Sequence, residues 1–149
     1  MQKNLFSLFI SLFVIVLFLG CQSSKTAVVT PETLGADELE VYNLFKDVEK
    51  NWAMKNFDGV FKHYAEDGVF TGKNNTPASK NDLLKLCQET GDTWKISKVD
   101  LKKLSVDGEK AYAEAVLKIK FDGGGKNHKE NYELEKRNGT WLVVKEINP

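Results

Sequence analysis

The feature that most constrains the fold is a change in the period of apolar residues at Gly91. Before Gly91, apolar residues recur every three or four positions, which is the period of an amphipathic helix. After Gly91 they recur at every second position, which is typical of a strand with one buried face. Helices followed by strands predict an α+β domain, in which three N-terminal helices pack on one face of a strongly bent antiparallel sheet.

Three helices and one short strand are expected before Gly91. The first helix spans about residues 36–55, and a second, capped by Asn56, runs toward Gly68. Val69-Phe70-Thr71 is a short strand, and a third helix follows a capping box at Ser79. The first helix has an apolar stripe of Leu39, Tyr42, Phe45, Val48 and Trp52, and the second has one of Phe57, Val60, Phe61 and Tyr64.

Four long strands joined by tight turns are expected after Gly91. The turns are Asp107-Gly108, the glycines at 123–125 and Asn138-Gly139. A change of apolar phase near Ser97 indicates a β-bulge. Because hairpin turns set the register, the last two turns predict cross-strand pairs. These are Phe121–His128, Ile119–Glu130, Leu117–Tyr132, Leu134–Val143 and Tyr132–Lys145.

The N-terminal twenty residues have the pattern of an export signal. Only Lys3 is charged before an apolar run that ends at Leu19, and this run is shorter than the ~20 residues that span a bilayer. Leu17-Phe18-Leu19-Gly20-Cys21 resembles the lipobox of bacterial lipoproteins. The resemblance implies that residues 1–20 are removed and that Cys21 carries lipid, palmitate included. The alternative is a retained membrane anchor.

The resemblance also implies a location in the cell envelope. Gln22 is not the aspartate that retains some lipoproteins at the inner membrane, which favours the outer membrane of a Gram-negative cell. Residues 21–35 are expected to be the lipidated cysteine and a flexible tether, and residues 36–149 a single domain.

Charge and cysteine content exclude several classes of protein. With 21 basic and 21 acidic residues the chain lacks the basic surface that nucleic-acid binding requires. If Cys21 is lipidated, Cys87 has no disulfide partner, and its apolar neighbours on the third helix predict a buried structural thiol. The two histidines, His63 and His128, stand far apart, so no metal or other cofactor is expected. His63 lies beside the helical apolar stripe, which predicts a surface side chain.

Two segments resemble the nuclear transport factor 2-like superfamily, whose SnoaL-like members share a cystatin-like cone. They are His63-Tyr64-Ala65-Glu66-Asp67-Gly68-Val69-Phe70 and the closing Asn138-Gly139-Thr140-Trp141-Leu142-Val143. The resemblance covers about residues 36–149. It implies a cone-shaped fold with a pocket and often a homodimer made through the sheet, whereas function must be argued from the site.

The resemblance places no catalytic residues in this chain. The general base of the ketosteroid isomerases in this superfamily falls at about Gly72, between Thr71 and Lys73, where no carboxylate stands. Their oxyanion-stabilising acid falls near Tyr132. The Asp-Arg-Asp trio of the epoxide hydrolases is missing as well, since Arg137 is the only arginine.

A candidate ligand site follows from the predicted register. The pairs place four polar side chains, those of His128, Glu130, Tyr132 and Lys145, on the apolar face of the sheet. A buried glutamate beside a histidine and a lysine is a candidate acid–base group. The alternative is that His128 and Glu130 lie at the sheet edge and Lys145 extends to water. The aromatic residues expected to line the same pocket are Trp52, Phe70, Trp94 and Phe121.

These observations favour a non-catalytic, lipid-anchored domain that binds a small apolar ligand or a protein partner. One alternative is a small isomerase, dehydratase or cyclase that uses Glu130 or His128. Another is a dimeric scaffold whose cavity is filled by side chains.

Overall fold

The computed structural model describes residues 27–72 and 76–147. Cys21 and the rest of the predicted signal and lipobox lie outside the described residues, as does Lys73. The helices are α1 (Ala36–Ala53), α2 (Phe57–Phe61) and α3 (Lys80–Thr90). The strands are β1 (Tyr64–Thr71), β2 (Pro77–Ala78), β3 (Trp94–Asp107), β4 (Lys110–Phe121), β5 (Gly124–Arg137) and β6 (Thr140–Ile147).

The helices begin where the capping residues predict. Asn56 accepts a hydrogen bond from the Gly59 N–H at the start of α2, and Ser79 accepts one from the Asp82 N–H at the start of α3. The second helix is shorter than the apolar spacing predicts, because Tyr64 is already the first residue of β1. An aromatic residue at this spacing fits a helix and a strand equally well.

The six described strands form one sheet in the order β2-β1-β6-β5-β4-β3. The prediction of a purely antiparallel sheet is wrong, since β1 runs parallel to β6. β1 follows the first two helices in the chain, but its parallel neighbour in the sheet is β6, the last strand. This pairing therefore joins two segments that are far apart in the sequence. The third helix, α3, follows β1 and β2, in the place where the sequence predicts a helix after a short strand.

The turn between β4 and β5 lies earlier than predicted and changes their register. Phe121 pairs with Gly124, so the turn is Asp122-Gly123, with Gly123 at φ +87°. The predicted pairs are therefore wrong, and His128 lies opposite Leu117, Glu130 opposite Ala115 and Tyr132 opposite Ala113. The register is displaced by an even number of residues, so the side chains of His128, Glu130 and Tyr132 remain on the predicted face of the sheet.

The last hairpin contains a one-residue bulge. Asn138-Gly139 forms the tight turn as predicted, with both residues at positive φ, and Leu134 pairs with Val143 as predicted. The next pair is Glu133 with Lys145, which leaves Val144 as the extra residue on β6. Tyr132 consequently pairs with Glu146, and the predicted pair of Tyr132 with Lys145 is wrong. The predicted bulge near Ser97 is confirmed, because the β3–β4 register shifts between Ile96 and Lys98.

The core lies between the helices and the inner face of the sheet. Within the described part of the chain it runs from Val29, which packs against it, to Val143. The N–H of Val29 donates to the Leu101 carbonyl at 2.8 Å, which ties residues just ahead of α1 to β3. This contact adds a segment outside the helices and strands to the packing of the core.

Candidate functional site

A cavity of about 510 Å³ lies between the helices and the sheet. All three helices and every strand except β2 contribute to its wall. Most of this wall is apolar, with side chains that include Trp52, Phe61, Leu83, Ile96 and Leu117. The volume is within the usual range of small-molecule sites, about 300–1,000 Å³.

Two carboxyl groups face this cavity from neighbouring strands. Glu130 on β5 is only 6% exposed, and Glu146 on β6 lies opposite Tyr132, two residues along β5 from Glu130. Glu130 and Glu146 are thus diagonal neighbours on one face of the sheet, a relation in which the two Cα atoms are about 7–8 Å apart. Glu146 is the residue that sequence reasoning missed, because the bulge at Val144 moves it into the place predicted for Lys145.

Tyr64 anchors the Glu146 side chain. The Tyr64 hydroxyl donates to Oε1 of Glu146 at 2.7 Å, and the Thr71 hydroxyl lies 3.4 Å from the Glu146 carbonyl oxygen. Both contacts come from β1, which lies beside β6. Thr71 and Gly72 border the cavity at the position where the isomerase resemblance placed a missing base. A carboxyl group therefore approaches this position from β6.

Burial changes the acidity of both carboxyl groups. Burial raises the pKa of Glu130 from 4.5 to about 7. Burial also raises the pKa of Glu146 to about 7, and the charge of Glu130 adds to this, whereas the hydrogen bond from Tyr64 opposes it. Burial holds the pKa of Tyr64 well above 10, so Tyr64 remains a hydrogen-bond donor at neutral pH. Both glutamates can therefore gain or lose a proton near neutrality.

His128 is a further polar group of the cavity wall. Its Nε2 lies 2.8 Å from Oε2 of Glu130, and about a third of the side chain is exposed. Burial lowers the pKa of His128, as does the charge of Lys126, so the ring is neutral at pH 7. Because a neutral imidazole carries no charge, it does not neutralise the Glu130 carboxylate.

The structure brings together four of the eight residues predicted to bind ligand. Trp52, Trp94, His128 and Glu130 line the cavity. The other four do not line it. Phe70 is fully buried against Tyr64, and Tyr132 is buried against Phe45. Phe121 is exposed, and Lys145 pairs with Glu133.

Lys145 and Phe121 are corrections to the predicted site. Lys145 was expected on the apolar face, but the bulge at Val144 turns it to the opposite face. Phe121 is the last residue of β4, and the early turn at Asp122-Gly123 leaves it 43% exposed at the end of the hairpin.

The surroundings of Cys87 and His63 indicate structural roles for both side chains. Cys87 is a buried free thiol, as predicted, and burial raises its pKa to about 12, so it is a poor nucleophile. His63 was expected at the surface, but its side chain is only 17% exposed and its Nε2 lies 2.8 Å from Oδ2 of Asp47. In residues 27–72 and 76–147, no group of three or more His, Cys, Asp or Glu side chains is arranged to hold a metal ion.

Solved structures with the same architecture define the fold. A domain of unknown function with a cystatin-like fold from Nostoc punctiforme has a TM-score of 0.66 at 14% identity, with 76% of each chain covered. A nuclear transport factor 2-like protein of unknown function from Shewanella oneidensis has a TM-score of 0.63 at 14% identity, covering 72% of this chain and 93% of that one. The fold is the nuclear transport factor 2-like cone.

A third protein with the cone fold has a name that mentions an enzyme. The ketosteroid isomerase-like protein of Erwinia carotovora atroseptica has a TM-score of 0.63 at 15% identity, covering 76% of this chain and 95% of that one. At such identities the likeness concerns the cone fold alone. The sequence matches no protein-family model, and it matches none of the curated proteins. No described helix is long and apolar enough to cross a membrane.

Proposed function

We propose that this cone domain binds a small, largely apolar molecule in the cell envelope, where a lipid on Cys21 anchors it. The observation that carries the proposal is the cavity of about 510 Å³ between the helices and the sheet. Its wall is apolar except for a few converging polar groups, which is the usual composition of a small-molecule site. In this proposal a strong bend of the sheet keeps the space open.

A pair of variants on one strand tests the binding proposal. Ile119 lines the cavity, whereas Val116 has the opposite orientation on β4. The Ile119→Trp variant is expected to fill part of the cavity, and Val116→Trp is the matched control. Native mass spectrometry of each protein, purified gently from the envelope of its host, measures bound small molecules. Ligand on wild type and Val116→Trp but not on Ile119→Trp supports the proposal, and wild type without ligand contradicts it.

A protein partner and a dimeric scaffold are the other outcomes of the same experiment. An empty protein found with a second polypeptide would favour a partner, and an empty dimer would favour a scaffold built through the sheet. The open volume supports the ligand over the scaffold, because a scaffold has no need of a cavity.

An acid–base enzyme is the second candidate function. Two carboxyl groups with pKa values near 7 face one cavity, and a general acid or base works best when its pKa lies near the working pH. In this mechanism Glu130 takes a proton from the substrate, and the protonated carboxyl group of Glu146, which Tyr64 holds in place, donates a hydrogen bond to the oxygen that becomes negative. The substrate class would be a carbonyl compound with an acidic C–H bond.

Glu130→Gln separates the enzyme from the binding domain. Isomerisation of an unsaturated ketosteroid is the first reaction to assay, and proton transfer is expected to fall about 100-fold or more in Glu130→Gln. Binding of an uncharged ligand is expected to survive. Turnover that is unchanged in this variant would contradict the role of Glu130, and wild type without turnover would leave the binding domain as the better proposal.

The lipid anchor has a separate test. Cells grown with an alkyne analogue of palmitate are expected to label the wild-type protein and not Cys21→Ser. Cell fractionation is expected to place wild type with the outer membrane. Labelling that persists in Cys21→Ser would contradict lipidation at this residue.

A further inference from the structure

The charged groups that line the cavity are all acidic. Glu130 and Glu146 face it, but no lysine or arginine among the described residues does so. Glu130 is more than nine-tenths buried, and its Oε2 lies 2.8 Å from Nε2 of His128, which is neutral at pH 7. The lysine expected here, Lys145, pairs with Glu133 on the other face. Among residues 27–72 and 76–147, the two carboxyl groups therefore have no lysine or arginine partner in the cavity wall.

Two indole rings belong to the apolar wall of the cavity. The ring centroids of Trp52 and Trp94 lie 4.9 Å apart, and the two planes are tilted by 42°. The Trp94 N–H donates to the Thr90 hydroxyl at 3.1 Å, and Phe57 packs edge-on against Trp52. These contacts fix both rings in place. The rings therefore give the cavity a fixed apolar surface for the body of a ligand.

We propose that the ligand of this cavity is a small apolar amine in its protonated form. Its ammonium group lies between the carboxyl groups of Glu130 and Glu146, and its apolar body contacts the apolar side chains of the cavity wall. Diagonal neighbours about 7–8 Å apart along a sheet leave room for one ammonium group to reach both side chains. This inference rests on the proposed binding function and names the class of ligand for it.

The same arrangement predicts that binding of an amine releases protons from the two carboxyl groups. Both carboxyl groups hold their protons to about pH 7 when the cavity is empty, because charged carboxylates are costly in an apolar space. A bound ammonium group favours the charged carboxylates, so binding releases protons at pH 6–7. The affinity for an amine should therefore rise between pH 5 and pH 8.

The other titratable groups that face these carboxyls do not reverse this direction. Tyr64 from β1 and Tyr132 from β5 have pKa values well above 10, and the Cys87 thiol from α3 has one of about 12. None of them titrates between pH 5 and pH 8. His128 is the exception. Burial and the charge of Lys126 lower its pKa, and because the ring can only lose positive charge as pH rises, its titration also favours a bound cation at the higher pH.

Three ligands that share one apolar cage test the proposal. They are adamantylmethylamine, adamantylmethanol and adamantanecarboxylate, titrated into residues 21–149 with Cys21→Ser and followed by calorimetry and by fluorescence of the cavity tryptophans. The amine is expected to bind about ten-fold or more tightly than the alcohol at pH 7.5, and the carboxylate is expected to bind least. Calorimetry in two buffers of different ionisation enthalpy measures the released protons.

Glutamine variants locate the ammonium group. Glu130→Gln and Glu146→Gln are each expected to weaken amine binding about ten-fold and to leave alcohol binding within about two-fold. Glu133→Gln is the matched control, because Glu133 lies on the same strand as Glu130 and faces away from the cavity. If one glutamine variant does not fold, the other and the pH dependence of the wild type carry the test.

Each result has one meaning. An alcohol that binds as tightly as the amine would overturn the amine proposal and leave the binding function standing. Failure of all three to bind would also overturn it, and native mass spectrometry then decides the binding function separately. If Glu130→Gln and Glu146→Gln both bind the amine as tightly as the wild type does, the placement of the ammonium group between these two residues is refuted.

Discussion

Glu130 should make the stability of this domain depend on pH in a direction that is unusual for a carboxyl group. Burial raises its pKa from 4.5 to about 7 in the folded protein. Unfolding therefore releases a proton between these two values, and the free energy of unfolding falls as pH rises through this interval. The contribution is fully present below pH 4.5 and is lost above about pH 7. Glu130→Gln removes this titration, because an amide cannot ionise.

The size of the effect follows from the interval between the two pKa values. From 4.5 to about 7, at about 1.4 kcal/mol per pH unit, the ionised Glu130 costs about 3 kcal/mol of stability at pH 8. Relative to wild type, Glu130→Gln should thus gain up to about 3 kcal/mol between pH 4.5 and pH 8. Part of the gain comes through Glu146, whose pKa the charge of Glu130 also raises.

Urea unfolding at a series of pH values measures this gain. Wild type and variant, both as residues 21–149 with Cys21→Ser, are compared at each pH, so that groups common to both cancel. Glu133→Gln is the control on the opposite face of β5 and should show no such trend. A difference between Glu130→Gln and wild type that stays flat from pH 5 to pH 8 would refute the reasoning. It would mean that Glu130 titrates as an ordinary surface carboxylate.

Three further predictions concern the surroundings of the cavity. Gly59→Ala should destabilise the domain by about 1–3 kcal/mol in thermal unfolding, because the added Cβ lies 2.2 Å from Oδ1 of buried Asn51, whereas Gly124→Ala meets only ordinary contacts. Asp47→Asn should lower the free energy of unfolding by about 0.5–1 kcal/mol at pH 7 and leave it unchanged below pH 2. The hydrogen bonds of Asp47 with Lys62 and His63 lower its pKa from 3.8 to about 2. Their stabilisation is therefore lost as pH falls through that value. Urea unfolding at pH 7 and pH 2 measures this, and a cost that persists at pH 2 would contradict it. Alkylation of Cys87 at pH 8 in Cys21→Ser should be about a thousand-fold slower than in the unfolded chain, because its pKa of about 12 leaves little thiolate, and rapid alkylation of folded protein would contradict its burial.

Local sequence chemistry predicts much of this fold. Asn56 and Ser79 begin helices because their side chains accept hydrogen bonds from free backbone N–H groups. Asn138-Gly139 forms a hairpin turn because both residues adopt positive φ readily. Each of these signals depends on residues that are adjacent in the chain, so one sequence is enough to recognise them.

Contacts between distant segments are what the sequence does not show. The parallel pairing of β1 with β6 joins residues about 80 positions apart, and no local signal marks it. The start of β1 at Tyr64 is hidden for a similar reason, because its aromatic side chain continues the apolar spacing of α2. The run of glycines at 123–125 offers several positions for a turn, and only pairing across the whole hairpin selects Asp122-Gly123.

The bulge at Val144 has the largest consequence for function. Without it, Lys145 would face the cavity beside Glu130, and a lysine–glutamate pair would satisfy its own charge. With it, Lys145 turns outward to Glu133, and Glu146 takes the inner position under the hydroxyl of Tyr64. The charged side chains that face the cavity, among those the structure describes, then change from a lysine–glutamate pair to two acids. One extra residue in one strand thereby supplies the second acid on which the proposed amine site depends.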